Sequence, residues 1–409
     1  MKILFVHEAP GQFLELHKYL NVSGLAESWM MCSKSVFERE KTKIPNLLSF
    51  NIPADDEKTY FYIRKTEGRV KRSFHIRQAV LDFLKSHKLD LVVAHGSGGF
   101  PLHLFGELGV PVVTYIEFPS FSAHGADPKY PMPEYSRYLD KMFEMTSFHQ
   151  VIRSATTIVP SEYARQMFPE YLRHKIVAQM EGFSIKVDAR QSHSKKPVFK
   201  IGYTARDLSS AKGFEQFIHV SKAIAATRSD VEFHFCGSPK TLYSYEGTML
   251  QEKYGSGHQK TFMDYLFERE GLSLGEGSIY KHFQFSDYSE YSDFIQSMDL
   301  FLYPLQFGSA NWGLFEILFR GGVVVGSDRC FIPEVIKHGK TGLLCQYDDV
   351  QGWVAAVDRL LSDESERERL SIGAIKDMQA RYSVPVVAKR YLSIFEAAVS
   401  TAKAVTISN

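Results

Sequence analysis

The sequence predicts an α/β protein made of two doubly wound parallel-sheet domains. Three observations carry this. Runs such as Ile3–Val6, Leu89–Ala94 and Leu300–Leu305 are continuously apolar, as strands covered on both faces of a parallel sheet must be. Segments of helical periodicity separate these runs, the alternation that marks βα units. The series pauses once, at the polar and basic stretch Ser184–Pro197 (SIKVDARQSHSKKP), and then starts again, as an interdomain linker would make it do.

In chain order, Ile3–Val6 is the first strand, and Gly11 turns the chain into a helix bearing Phe13, Leu14, Leu16 and Leu20. Asn46–Ile52 offers another strand, and a basic amphipathic helix follows over Val70–Lys88. Leu89–Ala94 and Pro111–Ile116, with a Gly-rich turn and a helix between them, then Thr156–Val159 and Lys175–Ala178, complete the first series. The second series is Val198–Thr204, Val231–Cys236, Ile279–Phe285, Leu300–Leu305, Val323–Gly326 and Leu343–Gln346. Leu242–Lys260 is polar, carries Gly and Tyr, and reads as an insertion loop. Val384–Lys403 is a last helix with no strand after it, expected to pack back across both domains. The expected division is an amino-terminal domain over 1–185, a carboxy-terminal domain over 186–383 and a crossing helix over 384–409. Two such domains would face each other across a cleft, with ligands beyond the carboxyl ends of the strands.

Composition narrows the function. The 409 residues hold 48 Lys+Arg against 47 Asp+Glu, so no whole-chain field favours nucleic acid. Cys32, Cys236, Cys330 and Cys345 lack Cys-x-x-Cys spacing and read as reduced thiols of a cytoplasmic protein. Only four apolar residues, Ile3–Val6, follow Met1-Lys2, too few for a signal peptide, and no run reaches membrane-spanning length. The expectation is a soluble protein, at most peripheral on the inner face of a membrane. The basic helix with Arg69, Lys71, Arg72, Arg77, Lys85 and Lys88 is either a lipid- or acceptor-facing surface or a solvated face.

The richest stretch runs from Phe301 to Leu344. An apolar run breaks at Gly308, Ser309, Ala310 and Asn311, passes Trp312 and enters a helix that stops at Gly321-Gly322. A strand, loop and helix in this order present unpaired backbone N–H groups where a phosphate can bind. Glu316 lies about one turn into the helix, placed to accept hydrogen bonds from a ribose diol.

Around that stretch lie Gly202-Tyr203-Thr204-Ala205-Arg206, Lys212-Gly213, and Pro333-Glu334-Val335-Ile336 followed by Gly339 and Gly342-Leu343-Leu344. The first half contributes Pro10-Gly11-Gln12-Phe13, Tyr115-Ile116-Glu117-Phe118 and Asp127-Pro128. With these motifs the chain resembles the retaining glycosyltransferases of family 4, and within them a subgroup that opens PGQF. The resemblance spans nearly the whole chain and implies the GT-B fold, two Rossmann-like domains. It implies a metal-independent enzyme without a cofactor, using a nucleotide-diphosphate sugar as donor. The acceptor would be a carbohydrate, lipid-linked or other hydroxyl, in the synthesis of a surface polysaccharide, lipopolysaccharide or glycoconjugate.

By the same resemblance Arg206 and Lys212 would grip the donor diphosphate, whose negative charge grows as the glycosidic bond breaks. Glu316 matches the second acid of the family's E-x(7)-E motif and would bind the ribose. Gly308 stands where the first acid is expected, so backbone N–H groups from Ser309 to Trp312, or the Asn311 amide, would hold the donor hydroxyls. Glu117 occupies the position where many members carry a His. It is either a carboxylate that stabilises positive charge or accepts the acceptor's proton, or a strand-end acid satisfied by loop amides. His95, leading into Gly96-Ser97-Gly98-Gly99, is a cleft contact or a structural histidine. Gly11 gives a phosphate close approach or serves the turn alone. Phe283 and Phe285 bracket the base or belong to the core, and Ser244-Tyr245 matches a Ser-Tyr element of the subgroup.

Other chemistries fit poorly. Asp55-Asp56 and Asp348-Asp349 lack the Asp-x-Asp arrangement that holds a metal-bound diphosphate, and neither G-x-S-x-G nor a Walker loop occurs. Two alternatives stay open: a non-catalytic subunit of the same fold, and a nucleotide-sugar epimerase or hydrolase.

Overall fold

The computed structural model describes residues 1–52, 63–106, 108–185, 197–241 and 245–407. Asp55, Asp56, Ser244 and most of Ser184–Pro197 lie outside them. The chain divides into two compact units: residues 1–124, 134–184 and 381–409 form the first, and 125–133 and 185–380 form the second.

The first unit is one parallel sheet of β1 (Lys2–Val6), β2 (Glu27–Ser33), β3 (Leu47–Phe50), β4 (Leu91–His95), β5 (Val112–Tyr115), β6 (Thr156–Val159) and β7 (Ile176–Ala178). Their order is β3-β2-β1-β4-β5-β6-β7. Strands β1 and β4 are buried on both faces, as their apolar runs require. One face packs on Phe13, which caps the first helix, on Leu16 and Leu20 of that helix, Leu14–Ser23, and on Val387, Ala388, Tyr391 and Phe395 of the last helix, Val384–Ile407. The opposite face packs on Ile76 and Val80 of the helix Arg64–Leu84, with Phe100 and Leu104. The last helix therefore returns the chain to the first unit after the second is built.

Strand β2 is absent from the sequence reading. Its residues, ESWMMCS, carry no β-branched side chain and begin Glu-Ser, so the usual strand signal is missing. Burial decides the matter: Ser28 through Cys32 are buried, and the Ser28 hydroxyl sits 2.8 Å from His17 Nδ1 and accepts from Asn21 Nδ2 at 2.8 Å.

The second unit is a parallel sheet of β8 (Phe199–Asp207), β9 (Val231–Ser238), β10 (Tyr280–Phe283), β11 (Leu300–Tyr303), β12 (Val324–Ser327) and β13 (Leu343–Cys345). The order is β10-β9-β8-β11-β12-β13. Its core joins Phe214, Phe217 and Phe233 to Trp353 and Leu360. The stretch read as an insertion loop holds the helix Glu246–Tyr254. Few apolar positions announce it; Leu250 reaches the core, while a buried carboxylate, Glu246, fixes its start by accepting from Ser210 N at 2.7 Å. Tyr130, from Gly125–Pro133, also lies in this core.

Candidate nucleotide-sugar site

In each sheet the strand order reverses at one place, between β1 and β4 in the first unit and between β8 and β11 in the second. Connections leave such a pair in opposite directions, and the gap beyond the carboxyl ends is where open α/β sheets take ligands.

In the second unit, a small concavity at that gap is lined by Tyr203, Thr204, Ala205, Lys212, Tyr303, Leu305 and Asn311. The register of β8 against β9 shifts between Thr204 and Asp207, a bulge that leaves Arg206 solvent-exposed. The loop then folds tightly: Gly213 N donates to Ser210 O at 2.8 Å, and Tyr203 Oη donates to Lys212 O at 3.0 Å. Gly213 has φ +79°, and a Cβ there would lie 1.5 Å from Pro304 O. Only glycine lets the Lys212 loop pass so close to the chain leaving β11. Gln306 N and Phe307 N both donate to Ala211 O, at 3.2 and 3.0 Å. The two loops are thus one bonded body.

Helix Trp312–Phe319 begins at this body. Asn311 caps it, its Oδ1 accepting from Gly313 N at 3.1 Å, so that oxygen serves the helix. Ser309 is buried, Ala310 is half-buried and Trp312 is 47% exposed. Glu316 faces Arg320 and Tyr288: Arg320 Nε donates to its Oε1 at 2.7 Å, and Tyr288 Oη donates to the same oxygen. Its Oε2 takes no hydrogen bond from any described residue, so one carboxylate oxygen is held and the other is available. Burial and the carboxylate push the Tyr288 hydroxyl above its ordinary pKa, keeping it a donor. Arg320, four residues after Glu316, was readable as an i,i+4 partner; Tyr288 left no sequence signal.

Gly308 is not demanded by the backbone, since its φ lies outside the left-handed region. Phe285 stacks on Phe283 at 5.9 Å and meets Phe294 at 5.3 Å and Tyr291 at 6.3 Å. Tyr291 Oη in turn lies 3.1 Å from Thr204 Oγ1 at the concavity. Tyr245 precedes the helix Glu246–Tyr254.

In the first unit, His95 ends β4 and lies 4.3 Å, ring to ring, from His7, just past β1. Burial drives the His7 pKa down to about 4, and burial with the neighbouring His7 takes His95 well below its ordinary value. Both are neutral imidazoles, and His95 Nε2 is buried with no hydrogen-bond partner among the described residues. Gly11 closes over this pair with φ +37°, its Cβ position 3.2 Å from His7 Cε1. Glu117 accepts from Gln12 Nε2 at 2.6 Å, which fixes its carboxylate beside the Gly11 turn. His7 escaped the sequence reading because it looked like the polar end of a short strand. Among the described residues, no group of three or more His, Cys, Asp or Glu side chains could hold a metal ion.

Comparison with known proteins accords with this layout. Residues 26–187 match the family model described as glycosyl transferase family 4 group, and residues 185–377 match glycosyl transferases group 1. A 2-deoxystreptamine N-acetyl-D-glucosaminyltransferase of Niallia circulans is 22% identical over 49% of this chain. The match spans 45% of that protein, less than half its length. Among solved structures, Anabaena HepE in complex with UDP and glucose superposes with a TM-score of 0.64 at 16% identity, covering 97% of this chain and 100% of that one. Sucrose-phosphate synthase of Thermosynechococcus elongatus gives 0.67 at 13% identity, over 98% and 100%. Two family models that together run from residue 26 to 377, over two Rossmann-like units, place the chain in glycosyltransferase family 4, with the GT-B fold.

Proposed function

We propose that the protein is a retaining, metal-independent glycosyltransferase that moves a sugar from a nucleotide-diphosphate sugar to a hydroxyl acceptor in glycoconjugate or surface polysaccharide synthesis. One observation carries the reading: the Lys212 loop and Asn311, which caps helix Trp312–Phe319, line one concavity at the β8/β11 switch point, and the same helix carries the half-satisfied Glu316 carboxylate. In this reading Arg206 and Lys212 meet the charge that develops on the departing diphosphate. Glu316 Oε2 accepts from the ribose, and the aromatic cluster of Phe285 borders the base. Amides at Ser309, Ala310 and Trp312 take the place of the acid missing at Gly308. In the first unit, Gly11, Glu117 and His95 border the acceptor, with Glu117 the carboxylate that accepts its proton. The basic helix Arg64–Leu84 gives the protein a peripheral place on an anionic surface, and no described helix is long and apolar enough to cross a membrane.

The test is release of nucleotide diphosphate from a panel of nucleotide-sugars in the presence of hydroxyl acceptors. Arg206→Ala is expected to lower kcat/KM for the donor about 100-fold, the loss typical of one charge-stabilising contact. A protein that binds no nucleotide diphosphate sinks the reading. Gly308 motivates a second one, a non-catalytic subunit, for which nucleotide would bind without turnover with any acceptor.

A further inference from the structure

Gly125–Pro133 lies between two segments of the first unit and yet is built into the second. Its anchors are specific. Tyr130 is buried with its ring edge-on to Phe262 at 5.2 Å, and its hydroxyl donates to Glu215 Oε2 at 3.3 Å. Lys129 Nζ reaches Glu215 Oε1 at 3.3 Å, where Arg269 also binds at 2.8 Å. At the other end Gly125 has φ +103°, and a Cβ there would lie 2.3 Å from the Phe307 ring. The strap presses on the residue just before Gly308.

Between these anchors stands Asp127, 7% exposed, with Oδ1 accepting from Lys129 N at 3.0 Å. Its other oxygen faces Gln306, also 7% exposed. Two acceptors surround the Gln306 amide, so its nitrogen points to them: Nε2 donates to Asp127 Oδ2 at 2.9 Å and to Ser210 O at 3.2 Å. Ser210 is the turning point of the Lys212 loop, its N–H given to Glu246 and its carbonyl shared with Gly213 N. One amide thus ties the strap to both loops of the concavity, two residues before Lys212 on one side and two before Gly308 on the other.

We infer that Asp127 and Gln306 are positioning residues for the donor: the strap orients the Gln306 amide, which sets the spacing between the Lys212 loop and the loop Gly308–Asn311. Both are too buried to touch a donor, and they act through Ser210 and the backbone of Gln306. The inference rests on the second unit being the donor site.

The experiment is calorimetric binding of UDP, GDP, ADP, CDP and dTDP to the full chain, with donor and acceptor KM measured beside it. Gln306→Glu sets a carboxylate against Asp127 and Ser210 O, and is expected to weaken nucleotide diphosphate binding and raise donor KM about tenfold, the scale of one buried hydrogen bond turned repulsive. Acceptor KM stays within about twofold, because the change acts on the donor loops alone. Asp127→Asn, nearly isosteric, turns a nitrogen toward Gln306 and loses about threefold to tenfold. Combining the two swaps donor and acceptor, so the double variant recovers at least about threefold over Gln306→Glu alone, a coupling that nonspecific damage does not produce. Single variants that bind nucleotide like the wild type, or a double variant that merely adds the two losses, overturn the inference. Wild-type protein that binds none of the five overturns the reading of the site itself, and the inference with it.

Discussion

Two glycines of the loops at the β8/β11 gap differ in what they allow. Gly213 combines φ +79° with a Cβ position 1.5 Å from a backbone oxygen, Pro304 O. Gly213→Ala must move one of two loops that are hydrogen-bonded to each other, and the expected loss is at least about 3 kcal/mol from left-handed strain plus overpacking, read as a lowered urea midpoint. Gly308 has no positive φ, and the nearest atoms to its Cβ position belong to the flexible Leu305 side chain, a methyl at 3.0 Å first. Gly308→Ala is expected to cost under about 1 kcal/mol and to leave the midpoint nearly unchanged. The Lys212-Gly213 motif stands out in the sequence, but the reason for its glycine does not, because Pro304 is distant in sequence. The place of Glu316 about one turn into its helix was legible; the Arg320 and Tyr288 contacts that hold one of its oxygens come partly from a segment that no local pattern links to it.

Among the elements, the last helix shows what periodicity reveals. Its apolar stripe led to the expectation of a helix packed back across both domains, and the structure buries Val387, Ala388, Tyr391 and Phe395 in the core of the first unit with β1, β4 and the first helix. Phe395 is fully buried, 6.3 Å from Phe5 and 5.7 Å from Tyr391. Phe395→Ala should destabilise the first unit by about 3 to 5 kcal/mol, and hydrogen exchange should rise at β1 and β4 amides and stay unchanged at β8 and β11. Equal exchange in both sheets would contradict a helix that serves the first unit's core. Strands β1, β4, β5, β11 and β12 were legible because burial on both faces writes a continuous apolar run. Strand β2 and the helix Glu246–Tyr254 were not, since Met, Trp and Ser, or a single buried Glu, carry burial without a periodic signature.

For the molecule as a whole, acid stability separates the two kinds of buried charge. His7, His17 and His95, all in the first unit, have folded-state pKa values below the ordinary 6.5, with burial the main cause. The unfolded chain binds protons that the folded chain refuses, so this stability is present above about pH 6.5 and is lost as pH falls toward the folded values. For His7, at about 4, the loss is on the order of 3 kcal/mol. The urea midpoint should therefore drop between pH 7.5 and pH 5, and His7→Gln should flatten that drop. Glu215 in the second unit is also shifted down but for the opposite reason, held below 4.5 against its own burial by Arg269 and Lys129; its contribution is lost only as pH falls below about 4.5. The two-unit architecture was readable from alternation and one polar pause. The exchange of Gly125–Pro133 was not, because a strap of nine residues is too short to carry a period of its own.

That exchange also sets an order of completion. The first unit's core needs Tyr391 and Phe395, near the carboxyl end, whereas the second unit's segments all lie between residues 125 and 380. On the ribosome, the half that emerges first is the half that finishes last: part of one face of its sheet waits uncovered until the helix Val384–Ile407 leaves the exit tunnel. A chain stalled after residue 380 would carry a complete second sheet and an apolar, chaperone-binding first one.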